Sequence, residues 1–169
     1  LMVYSLPTLV DGLAVAGSYQ ATNTTGTGST AFGATYSGIE GLSVSYGQGS
    51  SDNVKAVVGD QTVMKASYAY GPITVAASNN DYDHTTSTID QEVSSVSLSY
   101  TVSDQISVSY GEETIDRSGS TSDIEVSGVS ISYTSGGMTA SFATVEAENV
   151  DHVAGTDKEV WKIGLSFAF

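Results

Sequence analysis

Large apolar residues alternate with small polar residues over much of the sequence. Leu42, Val44 and Tyr46 alternate with serines, and the same pattern returns at 95–100, 106–110 and 129–133. Successive side chains of a β-strand point to opposite faces. Each segment therefore predicts a strand with one large apolar face and one small, hydroxylated face.

Followed along the whole chain, this alternation predicts eleven strands. They span residues 2–6, 13–22, 30–38, 42–49, 62–70, 73–79, 92–101, 106–114, 125–134, 138–147 and 158–169. The connections between them are alternately short and long, as in a barrel with short turns at one rim and longer loops at the other. Most segments come close to the 9 to 11 residues that a tilted membrane strand needs.

Similar hairpins repeat along the chain. Tyr46, Ser78, Tyr110 and Phe142 stand 32 positions apart, and each repeat holds two strands. A propeller blade requires four strands, and a hexapeptide solenoid has a far shorter period. The sequence therefore predicts an all-β fold, an antiparallel up-and-down transmembrane β-barrel, with residues 1–169 in a single barrel domain.

The last predicted strand has the most pronounced pattern. Trp161, Ile163, Leu165, Phe167 and Phe169 share one face, while the opposite face carries small residues and a lysine. A lipid-facing side and a water-facing side, with aromatic residues near the bilayer interfaces, are typical of membrane barrels. A soluble sandwich also alternates, but it seldom ends a chain on an exposed phenylalanine.

Composition narrows the function classes. The chain of 169 residues has a net charge of −14, a pI near 4.1 and no cysteine. Disulfides and thiolate metal sites are excluded, and nucleic acid is not an expected partner, because its binding sites need clustered lysine and arginine. No run approaches the roughly 20 apolar residues of a membrane helix, so a membrane-spanning form would use strands.

These features resemble the general porins of Gram-negative bacteria, especially the marine and alphaproteobacterial trimeric type. The resemblance is carried by the Ser-Tyr hairpins, the segment 4–7 (Tyr-Ser-Leu-Pro) leading into 10–13 (Val-Asp-Gly-Leu), and the terminal strand. Such porins have 16 to 18 strands. Eleven strands would then be the C-terminal portion of a larger barrel, and we expect the chain to be incomplete at its N-terminus.

The resemblance implies a homotrimer in the outer membrane that lets small hydrophilic solutes and ions diffuse passively. It implies contact with outer-membrane lipid and with the barrel-assembly machinery, for which Trp161 to Phe169 would be the signal. It implies neither a reaction nor a cofactor.

Candidate pore-lining residues follow from the polar face of the strands. They are Lys65, Lys162, Ser97, Ser99, Ser107, Ser109, Ser130 and Ser132. The resemblance implies that basic residues on one wall and acids opposite set a transverse field across the pore. Either lysine could instead be an interfacial lysine that snorkels, an alternative of equal weight for Lys162, which is near the start of its strand.

Acidic residues cluster in or beside the predicted long loops. The expected extracellular rim comprises Asp81, Asp83, Glu112, Glu113, Asp116, Glu146, Glu148 and Asp151. A mouth lined by carboxylates raises the local cation concentration, so we expect weak cation selectivity and loosely bound Ca²⁺ or Mg²⁺. The alternative, loops that are merely solvated, has equal weight.

Catalytic chemistry has little support in the sequence. His84 and His152 lie in separate acidic loops without metal-ligand spacing, and no serine lies in a nucleophile elbow. A β-rich surface adhesin without channel activity remains the alternative function, and an outer-membrane enzyme barrel is a third. An adhesin should be soluble without detergent, whereas a porin should need it.

Overall fold

Eleven strands follow one another in the computed structural model, which describes residues 1–8, 10–21, 28–51, 59–85 and 89–168. The strands are β1 (Met2–Ser5), β2 (Leu13–Gln20), β3 (Ser29–Tyr36), β4 (Leu42–Ser51), β5 (Gly59–Tyr70), β6 (Ile73–His84), β7 (Gln91–Ser103), β8 (Ile106–Arg117), β9 (Ile124–Ser135), β10 (Met138–Glu148) and β11 (Lys158–Phe167). A 3₁₀ turn, Val150–His152, lies between β10 and β11.

All eleven strands form one antiparallel sheet in chain order, β1 through β11. Every strand pairs with its sequence neighbours, so the up-and-down topology predicted from the sequence is confirmed. In the part of the chain that the structure describes, β1 and β11 each pair on one side only, and the sheet is open rather than closed into a barrel.

Several strands continue beyond their predicted ends on the loop side. The prediction ended the sixth strand at 79 and the eighth at 114, whereas β6 reaches His84 and β8 reaches Arg117. The acidic residues in these two segments favour a loop when the sequence is considered alone. Charged side chains do not interrupt a backbone ladder, however, and the antiparallel pairing continues through them.

Glycine makes the tight turns at the opposite rim possible. Gly41 has φ +78°, and a Cβ there would lie 2.2 Å from the carbonyl oxygen of Ala69. The backbone N–H of Ala69 also donates a hydrogen bond to the carbonyl oxygen of Gly41, at 2.8 Å. Because only glycine adopts this backbone conformation without a steric cost, the turn between β3 and β4 depends on it.

The loop between β10 and β11 docks on its neighbour, the loop between β8 and β9. Asn149 donates from Nδ2 to the carbonyl oxygen of Asp123 at 3.1 Å, and His152 Nδ1 lies 2.9 Å from the carbonyl oxygen of Ser122. Asn149 also has left-handed backbone geometry, with φ 52°. The hydrogen bonds tie two adjacent loops together at the loop rim.

The sheet has no interior of its own: none of the described side chains is buried, apolar or polar. Large apolar side chains instead stand open on one face, among them Ile163 at 70% exposure and Val96 at 54%. Within the described residues, the structure contains no helix with the length and apolar character to span a membrane. An apolar face of this extent needs a covering medium, because exposed patches this large are rare on soluble monomers.

Candidate pore wall

The strand register sorts the side chains of the sheet onto two faces. The apolar face carries Leu98 and Tyr100 of β7, and the hydroxyl face carries Ser97 and Ser99 of the same strand. Directly paired residues share a face, so the register extends both faces across all eleven strands.

Serine side chains pair across the strands of the hydroxyl face. Ser107 and Ser132 have their hydroxyl oxygens 2.8 Å apart, and those of Ser109 and Ser130 are 2.7 Å apart. Together with Ser97 and Ser99, all six predicted serines lie on this face. Small hydroxylated side chains take up little volume and exchange hydrogen bonds with water readily.

Basic side chains of the strands lie on the same face as the serines. Within the described residues these are Lys65, Arg117, Lys158 and Lys162, all exposed. Lys55 lies outside the described residues. The predicted pair, Lys65 and Lys162, therefore shares one wall with two further cations.

Three charged residues of the hydroxyl face stand in a single row across the sheet. The register pairs Lys65 with Ser78, Ser78 with Ser95, and Ser95 with Glu113. The row continues from Glu113 through Val126 and Ala147 to Lys158, so the residue-by-residue pairing is unbroken over seven strands. Glu113 is thus three strands from either lysine, which at ~4.8 Å per strand is roughly 14 Å.

A depression of about 290 Å³ surrounds Lys65 on the hydroxyl face. Six serines line it: Ser43, Ser45, Ser67, Ser78, Ser95 and Ser97. The hydroxyls of Ser78 and Ser95 lie 2.8 Å apart beside the lysine. A hydroxyl can donate to an anion as well as accept from water, so this part of the wall combines one cation with several donors.

The hydroxyl face is less polar toward the loop rim than the sequence suggested. One row there contains Val63, Val93, Ile115 and Ile124, each half-buried. The row lies one step beyond Lys65 toward the loops. The wall therefore has a hydroxylated part on the turn side and a mixed part on the loop side, with the charged row between them.

The acidic residues occupy an unexpected position. Ten of the eleven strand carboxylates in the described residues lie on the apolar face, in the loop-side halves of their strands. They are Asp60, Asp81, Asp83, Glu92, Glu112, Asp116, Glu125, Glu146, Glu148 and Glu159, called here the outer acidic belt. Among the described strand carboxylates, Glu113 alone lies on the hydroxyl face.

This placement puts most of the predicted acidic rim on the apolar face and not beside the serines. Of the eight residues predicted to line it, six belong to the outer acidic belt, and Asp151 lies in the 3₁₀ turn. The physical reason is the pleat: the strands continue through the acids, so the alternation turns every second residue away from the hydroxyl face. Within the belt, Tyr110 donates a hydrogen bond to Glu112.

The residues predicted as an assembly signal share the apolar face of β11. Trp161, Ile163, Leu165 and Phe167 are all more than half exposed there. Phe169 lies outside the described residues. Across the sheet, the apolar face continues from β11 with aliphatic and aromatic side chains such as Phe142 and Ile131.

Comparison with known proteins supplies the decisive observation. A family model described as Gram-negative porin matches residues 2–123, well over half of the chain. The chain belongs to the Gram-negative porin family. Proteins of this family lie in the outer membrane, and the apolar face of the porin sheet is the side suited to lipid. No curated protein sequence matches the chain.

Three solved structures share the fold. The anion-selective porin from Comamonas acidovorans superposes with a TM-score of 0.79 at 15% identity, over 99% of this chain and 58% of that one. A porin refined at 1.8 Å resolution gives 0.73 at 17% identity, over 99% and 60%. Outer-membrane expressed OmpT of Vibrio cholerae gives 0.71 at 15% identity, over 98% and 63%. The chain therefore spans about three-fifths of the length of these structures.

Sequence reasoning missed two basic residues of the wall, Arg117 and Lys158. Arg117 lies beyond the predicted end of its strand at 114, and Lys158 is the first residue of the predicted last strand, where the alternation puts it on the same face as Lys162. Continuing the alternation from Ser107 through Glu113 reaches Arg117 on the same face. The two-residue alternation of the sequence was therefore enough to place Arg117 on this face.

Proposed function

We propose that the complete protein forms a water-filled channel in the outer membrane through which small hydrophilic solutes and ions diffuse passively. One observation carries the proposal: a face of small hydroxylated side chains backs onto a lipid-compatible face in a sheet that superposes on porin barrels. In this arrangement the hydroxyl face lines the channel, since a polar interior and an apolar exterior characterise outer-membrane barrels.

The proposal includes a homotrimer, contact with outer-membrane lipid and insertion by the barrel-assembly machinery. Porin family membership supports these partners. Neither a reaction nor a resident cofactor forms part of it. The weak cation selectivity expected from the sequence depended on carboxylates facing the pore, and the outer acidic belt faces the other way, so that preference does not enter the proposal.

Loose association of Ca²⁺ or Mg²⁺ with the outer acidic belt is also proposed. The register sets carboxylates directly opposite one another at Asp60 and Asp83, at Glu125 and Glu148, and at Glu146 and Glu159. Like charges directly opposite are destabilising, and diffuse divalent cations relieve this repulsion. The proposal concerns screening by diffuse cations and not a coordinated site; in the described residues, no three candidate ligands are grouped to hold a metal ion.

Planar-bilayer recording of the complete, folded protein tests the channel. Stable conductance steps are expected, together with swelling of proteoliposomes in small sugars. A matched pair of variants locates the pore: Ser97→Trp puts bulk on the hydroxyl face, and Val96→Trp puts the same bulk on the apolar face of the same strand. The first should reduce conductance and the second should not. Folded protein without conductance would refute the proposal.

A further inference from the structure

We infer that the wall formed by this chain favours anions, and that Lys65 is the residue that contributes most to this preference. The inference rests on the proposed channel function and names the class of ion that the hydroxyl face selects. It reverses the expectation drawn from the strongly acidic composition, because what matters for permeation is the charge on the wall facing the water and not the charge of the whole chain.

The charges of the two faces differ in sign. On the hydroxyl face, four basic residues stand against a single carboxylate, Glu113, in the described strands. Ten strand carboxylates lie on the opposite face in the outer acidic belt. Rings of lysine and arginine favour anions in pores, so an ion moving along the hydroxyl face meets a positive wall.

Glu113 is too distant to neutralise the lysines in its row. It is roughly 14 Å from Lys65 and from Lys158, counted as three strand spacings each. The screening length at physiological salt is about 8 Å. The residues that flank Lys65 on neighbouring strands, Ser45 and Ser78, are uncharged. Lys65 therefore presents an uncompensated charge to the water.

The surroundings of Lys65 favour a partly dehydrated anion. The depression of about 290 Å³ is lined by six serines, whose hydroxyls can replace water as donors. Lys65 is central in β5, well away from both ends of that strand. Arg117 and Lys158, by contrast, are terminal residues of their strands at the loop rim. Among the basic residues of the described wall, Lys65 and Lys162 thus lie within their strands, and the serine-lined depression surrounds Lys65.

Two loop carboxylates take part in hydrogen bonds at the rim, outside the strands of the wall. Asp90 accepts a hydrogen bond from the backbone N–H of His84 at 2.8 Å, and Asp157 accepts one from that of Asn149 at 3.3 Å. Both are engaged in organising the loops at the rim. The charge that an ion meets inside the described wall is the charge of the hydroxyl face.

The test is the reversal potential of the complete protein in planar bilayers under a KCl gradient. The wild type should pass chloride in preference to potassium. Lys65→Gln should lower the chloride-to-potassium permeability ratio roughly twofold, the size expected for one screened unit charge beside the ion path. Glu113→Gln should raise the ratio by a similar factor.

Glu112→Gln supplies the matched control, since it removes the same charge one residue away on the apolar face, and it should leave the ratio unchanged. A wild-type preference for potassium, or a ratio that Lys65→Gln does not lower, would overturn the inference while leaving the channel intact. Absence of any conductance from folded protein would instead refute the proposed function.

Discussion

Glu112 and Glu113 are adjacent in β8, yet their side chains lie on opposite faces of the sheet: the register pairs Glu112 with Val96 and Glu113 with Ser95. One carboxylate therefore belongs to the outer acidic belt and the other to the hydroxyl face. A pair of neighbouring residues with the same charge thus reports separately on the two environments of the barrel wall.

Cysteine at these two positions should behave differently, and the chain has no native cysteine to interfere. Charged methanethiosulfonate reagents should modify Glu113→Cys and change the single-channel conductance, because the adduct projects into the ion path. Modification of Glu112→Cys should leave the conductance unaltered. Equal effects at both positions would contradict the assignment of the faces.

Arginine substitution tests which face contacts lipid. Leu98→Arg places a charge on the apolar face midway along β7, where a cation at the bilayer centre costs ~2–4 kcal/mol. Ser99→Arg, one residue away, projects from the hydroxyl face and should cost far less. Folding yield in lipid vesicles, read from the heat-dependent gel shift, should fall for Leu98→Arg alone. The reverse order would place lipid on the hydroxyl face.

The fold could be predicted from the sequence because the alternation of apolar and polar side chains in a strand is visible within a few consecutive residues. Ser97, Leu98, Ser99 and Tyr100 already define both faces of β7. Strand ends were harder to predict, since Asp81 and Asp83 suggested a loop although the ladder continues to His84. Acidic composition favours solvent exposure, and both a loop and a strand end at the rim satisfy that preference.

The charged row could not be predicted, because alternation assigns a face and leaves the offset between strands undetermined. Lys65, Glu113 and Lys158 come into one row only through the register of the six pairings between β5 and β11. Turn geometry and loop length determine those offsets. The face on which each acidic side chain lies depends on the strands continuing through these residues. An acidic composition does not indicate where a strand ends.

A designed disulfide tests that register. Ser109 and Ser130 have hydroxyl oxygens 2.7 Å apart, so the double variant Ser109→Cys/Ser130→Cys should oxidise readily, given that disulfides need Cβ atoms about 4 Å apart. The control Ser109→Cys/Ile131→Cys puts the two thiols on opposite faces and should stay reduced. Loss of maleimide labelling measures the bond. Labelling that persists in the first variant would show a different register.

Alanine substitution of two turn glycines distinguishes the cost of backbone strain from the cost of a steric contact. Gly41 and Gly71 both have positive φ, which costs other residues about 1–2 kcal/mol. A Cβ at Gly71 has no atom within 4 Å, whereas one at Gly41 lies 2.2 Å from the Ala69 oxygen. Gly41→Ala should therefore lower the urea midpoint of unfolding more than Gly71→Ala. Equal shifts would indicate that the Ala69 contact is relieved without cost.

Removal of divalent cations should destabilise the folded barrel through the outer acidic belt. Glu146 and Glu159 lie directly opposite each other on β10 and β11, and their repulsion increases when Mg²⁺ or Ca²⁺ is chelated. The unfolding temperature should fall on addition of EDTA, and Glu146→Gln should reduce that fall by removing one of the repelling charges. Glu113→Gln on the hydroxyl face, which has no carboxylate opposite it, should leave the EDTA effect unchanged. An unfolding temperature independent of EDTA would show that the belt is screened by monovalent ions alone.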